Sequence, residues 1–156
     1  MGLQKSNIFI CYRRSDSADV TGRIYDRLVN VFGEECVFKD VDSILLGRDY
    51  RDVLQKSLSN CNIFLAIIGN RWLHSESGER FFDQTDDFVR FEIETALTRN
   101  IPIIPLLVQG TSIPSEGDLP ESLREFRYRN GMVIRTDPDF NNDIARLIRN
   151  IQGNLG

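Results

Sequence analysis

Histidine is nearly missing from these 156 residues, with His74 standing alone, and cysteine is scarce at three. Cys11, Cys36 and Cys61 are odd in number, widely separated, and each set in an apolar stretch. A zinc site or a disulfide framework needs closer or paired spacing, and histidine partners in mixed zinc sets. The three are therefore read as small buried hydrophobes, with no metal site expected. A cysteine–histidine catalytic pair would arise only if the fold brought distant residues together. Long apolar runs are missing too. The longest, such as 63–68, are strand-sized, whereas a membrane helix needs about 20 residues. The opening Met-Gly-Leu-Gln-Lys-Ser-Asn carries no apolar export signal, so a cytoplasmic location with no membrane partner is expected. Positive charge is not in excess either. Nineteen Lys and Arg against 23 Asp and Glu give a net charge of -4, with the basic residues scattered. That argues against a nucleic-acid partner.

What is present describes an ordinary soluble globular chain: 41% hydrophobic and 27% charged residues, a length that fits one core. No internal repeat or interdomain linker interrupts it, so a single domain over 1–156 is expected. Five strand-like runs, at 7–12, 35–39, 62–68, 101–108 and 131–135, alternate with helix-like segments. Most runs are continuously apolar, as expected when helices cover both faces of a parallel sheet. The first helix is expected to follow the caps Ser15 and Asp16 and end at Gly33, with Val20, Ile24, Leu28 and Val31 buried. Further helices are expected over 49–58, 86–99 and 141–152. A Gly/Ser/Pro-rich surface loop over 109–120 should lead into a short helix at 121–126. This pattern is α/β: a flavodoxin-like, three-layer fold whose five-stranded parallel sheet has the order 2-1-3-4-5.

That order locates a crevice, because ligands of such sheets bind beyond the carboxyl ends of the strands, where the order reverses. The ends that meet there read Tyr12-Arg13-Arg14-Ser15 and Gly69-Asn70-Arg71-Trp72. Two arginines, a tryptophan and small polar residues suit an anionic, aromatic ligand such as a nucleotide. Spacing alone leaves Arg13 and Arg14 equally readable as solvated loop charges.

Four segments carry a resemblance. Phe9-Ile10-Cys11-Tyr12-Arg13-Arg14-Ser15-Asp16-Ser17 resembles the opening box of TIR (Toll/interleukin-1 receptor) domains in its bacterial-type form, with Cys11 where serine is usual. The run from Val37 to Gly47 resembles the second strand and the BB loop that follows it, with Leu46-Gly47 in place of the usual Pro-Gly or Ala-Gly. Ile67-Ile68-Gly69-Asn70-Arg71-Trp72-Leu73 looks like the third strand and its exit. Asp87-Phe88-Val89-Arg90-Phe91-Glu92-Ile93-Glu94-Thr95-Ala96-Leu97 resembles the helix that carries the catalytic glutamate of NAD-cleaving members, with Phe88 where tryptophan is common. The resemblance runs from about residue 7 to 151, and a domain of this kind can be one part of a longer protein.

Helix phasing separates the two glutamates of the last segment. Val89, Ile93, Ala96 and Leu97 define a core stripe, and Glu92 falls on its flank, four residues from both Phe88 and Ala96. Glu94 lies across the helix, four residues after Arg90, where an exposed ion pair is natural. Phe91 points away from the stripe and reads as an exposed aromatic of an assembly surface. A carboxylate at a core edge is an ordinary boundary residue by position alone; the resemblance implies that Glu92 is catalytic.

By the same resemblance the chain is an NAD+ glycohydrolase that takes NAD+ as substrate and needs no cofactor. It would cleave the nicotinamide–ribose bond to give ADP-ribose or a cyclic isomer. The expected substrate-binding residues are Tyr12, Arg13, Arg14, Ser15, Asp40, Trp72 and Phe88, of which Trp72 and Phe88 are equally readable as packing residues. The BB loop over 40–49, with Asp42, Ser43 and Gly47, is implied to gate the site or serve assembly. The expected protein partners are other TIR domains, with activity dependent on self-association, in immune or defence signalling. The alternative is a TIR–TIR interaction module without turnover. A phosphate-accepting receiver of the same fold order is disfavoured, since Tyr12-Arg13-Arg14 and Gly69-Asn70 stand where it needs acidic residues.

Overall fold

The apolar runs pair as parallel strands in the computed structural model, which describes residues 7–39, 46–84 and 86–155. The strands β1 (Ile8–Cys11), β2 (Val37–Phe38), β3 (Ile63–Ile68), β4 (Ile103–Leu107) and β5 (Met132–Val133) form one sheet in the order β2-β1-β3-β4-β5. This is the expected order. Ile8 pairs with Val37 on one side and Ile63 on the other, and Cys11 pairs with Ala66.

Every residue of β1 and β3 is buried because helices cover both faces. The period-2 alternation of a strand then sorts side chains between two layers. Phe9, Cys11, Phe64, Ala66 and Ile68 pack with α2 (Tyr50–Ser59) and α3 (Phe88–Thr98). Ile8, Ile10, Ile63, Leu65 and Ile67 pack with α1 (Arg14–Phe32) and α4 (Phe140–Leu155). Cys11 therefore faces α3. Among the described residues, no helix is long and apolar enough to cross a membrane.

The edges fall short of expectation. The outer strands contract from 35–39 and 131–135 to two residues each, and Glu34–Cys36 coils as a 3-10 turn. Edge strands have a ladder partner on one side only, which supports less pairing. The short helix after the 109–120 loop is a 3-10 helix, Glu121–Tyr128.

The start of α1 also differs. It begins at Arg14 with no side-chain cap, and Ser15 and Asp16 lie inside it. The Asp16 carboxylate instead accepts hydrogen bonds from the Gly69 and Arg71 amides, at 2.9 and 2.8 Å, at the exit of β3. A β-carbon on residue 69 would lie 2.4 Å from that carboxylate, so only glycine allows the approach. Ser17 departs from helical geometry at φ -140°. Ile24 and Leu28 are buried as expected, but the row continues toward the N-terminus through Thr21 and Ser17, with Val20 only partly buried and Val31 exposed. Gly33 ends α1 at φ +93°, as its place after the last periodic residue predicted.

Candidate active site

Asp87 caps α3, accepting a hydrogen bond from the Arg90 amide at 3.2 Å. From that start, Val89, Ile93 and Ala96 face the core as phasing predicts, and Arg90 reaches Glu94 at 3.6 Å. Glu92 lies deeper than a flank position, only 5% exposed. Phe91 is not the exposed aromatic; it packs partly buried against Tyr50, their rings 6.2 Å apart, while Phe88 is 57% exposed. The first turn of α3 rises from the surface, so its aromatic emerges while the next is covered by α2.

Two donors converge on Glu92 from other elements. The hydroxyl of Tyr50, first residue of α2, donates to Glu92 Oε1 at 2.9 Å. The thiol of Cys11, last residue of β1, donates as well. Burial raises the Glu92 pKa from 4.5 to about 7; the two hydrogen bonds and Arg13 oppose the rise, and the Asp87 charge adds to it. Burial, followed by the charge of Glu92, pushes both the Tyr50 phenol and the Cys11 thiol up. Both therefore stay protonated and remain donors. Cys11 is buried, as expected of a small hydrophobe, yet its polar end is in use.

Arg13 forms the adjoining wall. Its Nη1 and Nη2 bind Asp87 at 2.6 and 2.8 Å, and its Nε donates to the Trp72 carbonyl at 2.6 Å. The guanidinium lies 4.1 Å from the ring centre of Phe81. Trp72 is not brought to the cleft: its ring is buried between Phe82 and Phe126, and only its carbonyl reaches toward the site, through Arg13. The strand end places its backbone at the crevice while its side chain turns into the core.

These groups border a cleft of about 670 Å³, well within the range for small-molecule and cofactor sites. Tyr12, Arg13, Arg14, Ser15, Phe88 and Glu92 all line it, six of the residues expected there. Tyr50, Lys39, Phe81, Gln84, Asp86 and Asp87 line it too and were not anticipated. Phe88 and Tyr50 pack with ring centres 4.5 Å apart and planes tilted by 47°, an aromatic wall beside the carboxylate. Gly47 takes φ +86°, a left-handed conformation that suits glycine, outside the cleft lining. Asp40, Asp42 and Ser43 lie outside the described residues. Among the described residues no three His, Cys, Asp or Glu side chains group as metal ligands.

Sequence carried a signal for Cys11, since alternation along β1 puts it on the face of Phe9, toward α3. It carried none for Tyr50, which reaches Glu92 from a different element, the first residue of α2. Chemically, a buried carboxylate with a pKa near neutrality can stabilise a neighbouring cation when ionised and accept a proton from water.

Comparison with known proteins gives concordant matches. The TIR domain family model matches residues 8–148. The Drosophila melanogaster protein described as NAD(+) hydrolase sarm1 is 28% identical over 127 residues, covering 81% of this chain and 9% of that protein. The chain thus spans under a tenth of that relative's length. The TIR domains of the activated Roq1 resistosome, which directly recognises the pathogen effector XopQ, align with a TM-score of 0.63 at 11% identity, covering 97% of this chain and 99% of that one. The TIR domain of the Toll-related receptor TRR-2 from Hydra magnipapillata aligns with a TM-score of 0.58 at 16% identity, covering 93% and 97%. At such identities the structural likeness speaks to the fold.

Proposed function

This chain belongs to the TIR domain family, and from that premise we propose that it is an NAD+ glycohydrolase with Glu92 as its catalytic residue. The observation that carries the reading is the position of Glu92, buried, aromatic-flanked and lining a nucleotide-sized cleft beside the end of β1. Similarity to a protein described as an NAD+ hydrolase supports it.

The bond in question suits so sparse a site. As the nicotinamide–ribose bond breaks, its electron pair passes to the pyridinium nitrogen, and nicotinamide leaves neutral without a general acid. The ribose is left oxocarbenium-like, as in glycoside cleavage. An ionised Glu92 stabilises that charge by its field and by hydrogen bonds to ribose hydroxyls that strengthen in the transition state. Water then adds at the ribose carbon and gives its proton to Glu92, releasing ADP-ribose. Attack by the adenosine end of the same molecule gives a cyclic isomer instead.

Around that centre, Tyr12, Arg14 and Ser15 form the polar rim for the nucleotide, and Phe88 offers the exposed ring. Arg13 shapes the wall through Asp87 rather than holding phosphate, since its three nitrogens are engaged. In this reading the segment 40–49, with Asp40, Asp42, Ser43 and Gly47, gates the cleft or serves assembly. Turnover depends on self-association with other TIR domains in cytoplasmic immune or defence signalling.

The test incubates the concentrated or crowded protein with NAD+ and follows nicotinamide release beside Glu92→Ala. A loss of about a hundredfold or more in the variant, with the fold intact by circular dichroism, is expected. Equal release from both proteins excludes Glu92. A TIR–TIR interaction module without turnover is the second reading, favoured by the fully exposed Leu46 and the exposed Phe88. Absence of release under every assembling condition would select it.

A further inference from the structure

Glu92 owes its orientation to side chains that its own helix does not supply. Tyr50 reaches it from the first residue of α2, directly after Asp49, whose carboxylate caps that helix by accepting from the Arg51 amide at 2.9 Å. The Tyr50 ring is wedged against Phe88 and Phe91, so its hydroxyl has little freedom to leave Glu92 Oε1. Cys11 reaches the same carboxylate from the end of β1.

We propose that Tyr50 is a positioning residue for Glu92: its hydroxyl, with the Cys11 thiol as second hold, keeps the carboxylate turned toward the ribose subsite. The inference rests on the hydrolase reading above. A glutamate side chain has several free torsions, and a misplacement of about 1 Å can cost on the order of a hundredfold in rate. Glu92 is only 5% exposed, so water offers little competition for its oxygens, and both holding groups are protonated donors. The other charged groups facing it are Arg13, just beyond β1, and Asp87, at the start of α3. Those two are engaged with each other, and Arg13 also with the Trp72 carbonyl, which leaves Tyr50 and Cys11 to set the direction of Glu92.

Tyr50→Phe isolates the effect, because the ring and its contacts with Phe88 and Phe91 remain while the donor is lost. Nicotinamide release should show kcat reduced about tenfold with KM little changed. A hydrogen bond to the charged form favours that form, so its removal should move the acid limb of the rate profile up by about one pH unit. Cys11→Ala should move it the same way, and Cys11→Ser, which restores a donor, should return it. A carbon-13 titration of the Glu92 carboxyl, assigned by its loss in Glu92→Gln, reads the same displacement without turnover. An unchanged titration and rate in Tyr50→Phe overturn the inference, as does a faster variant, which would make the hydroxyl a shield over the carboxylate. Those results leave the hydrolase reading standing. A wild-type chain that titrates as expected but never releases nicotinamide overturns the function, and the positioning role in catalysis falls with it.

Discussion

Arg13 and Asp87 meet as a two-pronged ion pair with side chains only 6% and 7% exposed, and Asp87 is at once the cap of the helix that bears Glu92. One carboxylate thus ties the end of β1 to the start of α3. The guanidinium is held on the other side by the Trp72 carbonyl and the Phe81 ring, so the pair cannot swing apart without opening the wall of the cleft.

Breaking that pair from one side leaves the other charge buried and alone. Arg13→Ala is expected to lower the unfolding free energy by about 3–5 kcal/mol, measured by chemical denaturation. Arg13→Lys should recover only part of this, because an ammonium cannot reproduce the fork that meets both carboxylate oxygens. A loss below about 1 kcal/mol, the range of exposed pairs, would refute the buried-pair account.

Glu92 should set a pH dependence of stability. Its carboxyl ionises near 4.5 when unfolded and near 7 when folded, so the native state holds the proton more tightly. The stabilisation from that proton is fully present below pH 4.5 and is lost as pH rises to about 7, a change of roughly 3 kcal/mol. Glu92→Gln carries no ionising group, so above neutral pH it should be more stable than the wild type by up to that amount. The gain should vanish near pH 4.5. Denaturation curves of both proteins across this range decide it, and a gap that does not change with pH defeats the assignment.

The same titration bears on turnover. If the ionised carboxylate stabilises the oxocarbenium-like ribose, nicotinamide release should rise with pH through about 7 and then level off. Bound NAD+, with its positive pyridinium, favours the ionised form, so the limb at saturating substrate should sit lower than the limb in kcat/KM. A profile flat from well below to well above neutrality would contradict this.

Gly69 leaves no room for a side chain beside Asp16. Gly69→Ala should push that carboxylate off the Gly69 and Arg71 amides and cost about 1–3 kcal/mol by denaturation. Asp16→Ala should destabilise by a similar amount, and the double variant by less than their sum. Strict additivity of the two would show that no shared contact is lost.

The central strands and the order of the sheet could be read from continuous apolar runs such as 63–68, because burial on both faces leaves no polar positions to confuse them. The short edges could not, since their length depends on partners rather than on residue type. The register of Glu92 followed from helix phasing, but its depth did not: α2 and β1 bury it, and neither is visible from within α3. Of the two readings open for Trp72, packing is the one the fold adopts, because the chain position after a strand gives the place of its backbone and not the direction of its ring. Asp16 looked like a cap by its position, and tertiary contact assigned it to β3 instead.

Among the described residues, all the cleft-lining side chains come from residues 10 to 92 of the chain. Strands β4 and β5 and helix α4, which follow, supply buried apolar residues such as Leu106, Ile144 and Leu147 but no group that meets the cleft. The later stretch therefore serves the core, whereas residues 10 to 92 supply both core and cleft. Repacking the later stretch can harden the domain without touching the cleft, and remodelling the rim at Arg14, Ser15 or Phe88 can reshape the cleft without emptying the core.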